Sequence, residues 1–132
     1  MGGLMASRTI AVSIARPWRA VYEFVAVPAN MAGWASGLGG SLRHVGDRWI
    51  AEGPGGPVTV RFSRPNEFGV LDHHVVTADG EVFVPMRVVA NGDGAEVVFT
   101  LFRQPGMTAE QFDADAEWVA RDLAALKAIL EG

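Results

Sequence analysis

The chain has 132 residues, 49% of them hydrophobic and 20% charged, with a net charge of -4 at pH 7. That length suits one domain, able to bury about two-thirds of the surface that its unfolded chain exposes. The eleven Lys and Arg are scattered through an acidic chain, which argues against a nucleic-acid partner, and the absence of cysteine excludes disulfides, thiolate nucleophiles and Cys-based zinc sites.

The opening "MGGLMASRT" lacks the charged and apolar regions of a secretory signal, and Ala6 stands where a myristoylation signal needs Ser or Thr. No apolar run approaches the roughly 20 residues of a membrane span, so no membrane insertion is expected and a cytoplasmic location is the default. Residues 1–7 read as a flexible N-terminus and 8–132 as a single domain. "RTIAVSI" (8–14) alternates, with Ile10, Val12 and Ile14 on one face, as a half-buried strand should. Pro17 and Pro28 then start two short helices, "PWRAVYEFVA" and "PANMAGWA". The Gly-rich stretch 36–40 reads as a connector. Turn signals at Gly46-Asp47, 53–57, 64–67, Asp79-Gly80 and 91–94 then delimit six further strands.

Thr108 and Gln111 have the spacing of a capping box, so a helix is expected to start there. Phe112, Ala116, Val119, Leu123, Leu126 and Leu130 recur at steps of four and three, giving one apolar stripe along a helix of roughly 34 Å. Such a helix needs a sheet to lie on.

Successive strand residues face opposite ways, so each hairpin can be sorted. A two-residue turn at Asp79-Gly80 sets His73 against Met86 and Leu71 against Val88 on one face, with Asp72 against Arg87 on the other. A turn at Gly92-Asp93 then pairs Val88 with Val97 and Met86 with Phe99. A four-residue loop at 64–67 adds Val58, Val60 and Phe62 to the apolar face, and the earlier turns add Trp49, Ala51, Leu42 and His44. Asp72 and Arg87 read as a structural ion pair on the wet face. His73 and His74 point apart and cannot share a metal. No H-x-E or H-E-x-x-H pattern and no third inward ligand is present, so neither a metal nor another cofactor is expected.

An inward His73 has two readings: a core histidine satisfied by one local partner, or a polar contact in an apolar pocket, able to move a proton near neutral pH. Tyr22 and His44 are further polar candidates, and Trp34 with Met31 marks a place for a pocket mouth.

The order strand, two short helices, six antiparallel strands and long helix, carried by "TIAVSIARPWRAVYEFVAVPANMAGWA", "VVFTLFRQPGM" and "WVARDLAALKAILE", resembles the START/Bet v 1-like (SRPBCC) superfamily, in particular its polyketide cyclase/dehydrase-like members. The resemblance implies an α+β helix-grip: a seven-stranded curved antiparallel sheet wrapped around the C-terminal helix, with a cavity between them. The first function it implies is binding of a hydrophobic or aromatic, lipid- or polyketide-like small molecule. The expected walls are Tyr22, Trp34, His44, Trp49, Val58, Val60, Leu71, His73, Met86 and Phe99, with Phe112, Val119 and Leu123 from the long helix. The alternatives are a cyclase- or dehydratase-like enzyme using His73 as general acid or base without metal, and a protein-interaction module. The partner implied is an apolar small molecule, with homodimerisation left open and no nucleic acid.

Overall fold

The computed structural model describes residues 3–36, 41–53 and 55–132. Residues 37–40 of the expected connector, Pro54 of the 53–57 turn and residues 1–2 lie outside the described residues. In chain order the elements are β1 (Ser7–Ile14), α1 (Trp18–Val25), a 3-10 helix (Pro28–Gly33), β2 (Arg43–Val45), β3 (Arg48–Gly53) and β4 (Gly56–Phe62). There follow β5 (His73–Thr77), β6 (Gly80–Val84), β7 (Met86–Asn91), β8 (Gly94–Phe102) and α2 (Ala109–Glu131).

Local chemistry accounts for the helices. Pro17 immediately precedes α1, whose inner face buries Val21, Tyr22 and Val25. The residue before Pro28 is extended, as the pyrrolidine ring requires, and this separates α1 from the 3-10 helix. At α2 the Thr108 hydroxyl accepts from the Gln111 backbone N–H at 3.1 Å, while the Gln111 side chain accepts from the Thr108 N–H at 2.9 Å. The stripe of α2 is buried at Phe112, Ala116, Leu123, Leu126 and Leu130 and half-buried at Val119.

Seven strands in one sheet are expected from the sequence; among the described residues there are eight, all pairing antiparallel, in two sheets ordered β1-β8-β7 and β2-β3-β4-β5-β6. Pro85 is the physical reason. It has no N–H for a ladder and falls between β6 and β7, so one extended run divides in two. The halves remain joined around the break: Leu71 donates to the Met86 carbonyl at 2.8 Å, Val88 to Gly69 at 2.9 Å and Thr100 to Pro85 at 3.0 Å.

The β7-β8 register is the one expected, with Met86 opposite Phe99 and Val88 opposite Val97. The β5-β6 register differs: Thr77 opposes Gly80 and His73 opposes Val84, not Met86. The Thr77 hydroxyl takes the Asp79 N–H at 3.1 Å and donates to the Gly80 carbonyl at 3.0 Å, which moves the turn tip to Ala78-Asp79. The expected four-residue loop at 64–67 is also corrected. Ser63 pairs with the Asp72 carbonyl at 3.1 Å, so residues 64–71 form the connection. Both displacements are even, and with a side-chain period of two they leave every residue on its expected face.

The core gathers Ile14, Val21, Val25, Met86, Val88, Val97, Leu123, Leu126 and Leu130, with α2 lying against β1. Among the described residues, no helix is long and apolar enough to cross a membrane.

Candidate functional site

A partly open cavity of about 980 Å³ lies between the α1/3-10 segment and strands β3 to β5. Its inner wall holds Tyr22, Val25, Met31, Trp34, Trp49, Val60, Phe62, Leu71, His73 and Met86. Five further lining residues, Arg48, Thr59, Arg61, Ser63 and Val76, have outward parity, so the lining also takes in the outer face of the sheet. Arg61 there is paired with Glu81.

Each inner side chain has a local cause. Val60 and Phe62 share a strand face, and the β3-β4 and β4-β5 registers bring Trp49 opposite Val60 and His73 opposite Phe62. The rings form a continuous aromatic wall: His44 stacks on Trp49 at 4.5 Å, Trp49 meets Phe62 edge-on at 6.4 Å, and Phe62 tilts against His73 at 5.9 Å. Tyr22 and Val25 lie three apart on α1 and Met31 follows on the 3-10 helix, so all three face the sheet.

Asn66 holds the 64–71 connection, of which Arg64, Pro65 and Leu71 line the cavity. Its side-chain amide donates to the carbonyls of Arg64 and Val70 and its oxygen accepts from the N–H groups of Phe68 and Val70. The connector so held presents the Asn66 backbone N–H to the Tyr22 hydroxyl oxygen at 2.8 Å. The Trp34 indole N–H is buried and has no partner among the described residues.

His73 is the buried titratable group of the wall, 9% exposed. Its Nδ1 lies 3.0 Å from the Leu71 carbonyl, which accepts only, so in the neutral ring the proton resides on Nδ1. Nε2 then carries a lone pair with no partner among the described residues. Burial pushes the imidazole below its ordinary pKa of 6.5, against the opposing effects of the Leu71 carbonyl and the neighbouring Asp72 carboxylate. The neutral, accepting form is therefore the one present at neutral pH. Asp72 itself faces outward, doubly bonded to Arg87 at 2.9 and 2.7 Å, and that guanidinium holds its carboxyl below the ordinary carboxylate value.

The geometry brings together Tyr22, Trp34, Trp49, Val60, Leu71, His73 and Met86 from the residues expected in a site. His44 reaches the wall only by stacking on Trp49. Phe99, Phe112, Val119 and Leu123 do not line the cavity: Phe99, Val119 and Leu123 belong to the core or pack against it, and Phe112 lies under the Arg8 guanidinium. The hollow sits beside the 3-10 helix because the α2 stripe fills the space beneath α2. Val25 and Phe62 complete the site, and the Asn66 clamp holds the connection that borders it. Helical spacing from Tyr22 and strand parity with Val60 are the signals that mark the first two; no pattern in the sequence marks the clamp.

No family model matches the sequence, nor does any curated protein. Solved structures do match. The Aha1 dimer from Colwellia psychrerythraea is similar at 13% identity and a TM-score of 0.74, over 96% of this chain and 97% of that one. DynU16, a protein of the dynemicin biosynthetic locus, is similar at 17% identity and a TM-score of 0.71, over 95% of this chain and 47% of that one. A third, Ara h 8.0201, is similar at 11% identity and a TM-score of 0.65, over 96% of this chain and 98% of that one. At such identities the likeness is one of fold alone, an α+β architecture consistent with a helix-grip.

Proposed function

We propose that the chain binds a hydrophobic or aromatic small molecule, lipid- or polyketide-like, in the cavity beside the 3-10 helix. The observation that carries this reading is the open hollow of about 980 Å³ walled by Trp34, Trp49, Phe62, Leu71 and Met86. It has the size and apolar lining of a small-molecule site, for which about 300–1,000 Å³ is usual. A fluorescence titration with 1-aminoanthracene, a neutral aromatic probe, tests it. Saturable binding to the unmodified chain is expected, and Leu71→Trp, which fills the hollow from a half-buried position, should abolish it while the circular dichroism stays unchanged. Absence of binding, or binding indifferent to Leu71→Trp, would overturn the reading.

A second reading, a cyclase- or dehydratase-like enzyme, is favoured by the unpartnered Nε2 of His73 in the same wall. In that reading Nε2 takes a proton from a bound carbonyl compound and returns it, a role worth about 10²–10⁴-fold in rate. His73→Ala should lower turnover by that factor; unchanged turnover would remove this reading and leave the first standing.

A further inference from the structure

Two buried side chains of the cavity have their hydrogen-bonding polarity decided by the backbone. Tyr22 and His73 are each 9% exposed and both line the hollow. The Tyr22 oxygen already accepts the Asn66 N–H at 2.8 Å, and among the described residues nothing accepts the hydroxyl's own proton. Tyr22 is therefore left as a donor. The Leu71 carbonyl holds the His73 proton on Nδ1, which leaves Nε2 as an acceptor. Tyr22 offers a proton and His73, in its neutral form, a lone pair.

We propose that the cavity selects a ligand presenting a hydrogen-bond donor to His73 Nε2 and an acceptor to the Tyr22 hydroxyl, the pattern of a hydroxy-substituted aromatic ketone. This rests on the binding reading above and names the chemical class of its ligand. The aromatic wall of Trp49, Phe62 and His73 suits a planar ring system. A ligand that leaves either group unmet buries it without a partner and loses affinity to one that meets both.

Calorimetric titration of the full chain with three matched probes tests this. They are 6-hydroxy-1-tetralone with donor and acceptor, 6-methoxy-1-tetralone with the acceptor alone, and 5,6,7,8-tetrahydro-2-naphthol with the donor alone. The first should bind about two- to tenfold tighter than either of the others, the usual range for one net hydrogen bond. His73→Phe should bring the hydroxy-to-methoxy ratio to one and keep the preference for the ketone; Tyr22→Phe should do the reverse. Ratios near one in the unmodified chain, or ratios that survive both variants, would overturn the proposal. The unmodified chain's two ratios decide on their own if a variant fails to fold. Equal binding of all three probes, or binding of 1-aminoanthracene with no binding of the tetralones, overturns this inference and leaves the binding reading intact. Failure of every probe overturns both.

Discussion

A carbonyl that can only accept decides which nitrogen of His73 keeps its proton, and burial decides that the ring stays neutral. The same burial has a consequence for stability. The folded-state pKa lies below the unfolded value of about 6.5, so the unfolded chain binds more protons as the solution is acidified. The contribution of neutral His73 is complete above about pH 6.5 and is lost as pH falls through that value toward the lower folded pKa. Urea midpoints measured from about pH 7.5 to about pH 5 should therefore fall for the unmodified chain and fall less steeply for His73→Phe. Equal slopes would count against a neutral, buried ring. Asp72, also shifted downward, loses its contribution only near and below its ordinary value of 3.8, outside that window.

Among the elements, the junction of β5 with β7 depends on one residue lacking a side chain. Gly69 sits at φ 71°, and a Cβ there would lie 2.1 Å from the Val88 carbonyl oxygen, the carbonyl of the residue whose N–H bonds Gly69. Backbone cannot yield as a flexible side chain would, so Gly69→Ala should destabilise by about 1–3 kcal/mol or more, measurable as a lowered urea midpoint. A midpoint within error of the unmodified chain would show that the two sheets are not held together there. The α2 boundaries, the β7-β8 register and the face of every strand were legible in the sequence, because capping residues, turn residues and alternation are local signals. The β5-β6 turn tip and the 64–71 connection were not. Both are settled by side chains closing on backbone groups, Thr77 on Asp79 and Asn66 on Val70, and several registers satisfy the same alternation.

Across the whole molecule, the cavity and the core compete for the same apolar side chains. The stripe of α2 was visible at helical spacing, and the space beneath it is filled by Ile14, Val88, Val97, Leu123 and Leu126. What stays open is the concavity on the other side, where α1 and the 3-10 helix stand off from β3 and β4, and Tyr22, Val25, Met31, Trp34 and Met86 belong to both regions. Periodicity tells which face of an element is apolar; it does not tell whether that face meets side chains or a void, because filling depends on distances between elements far apart in the chain. The sequence alone therefore determined the helices, the apolar face of each strand, the inward direction of His73 and the resemblance to a helix-grip. Tertiary structure decided where the hollow lies, that Leu71 and Asn66 set the polarity of His73 and Tyr22, and that Pro85 divides the sheet, since each depends on contacts between segments that local pattern does not relate.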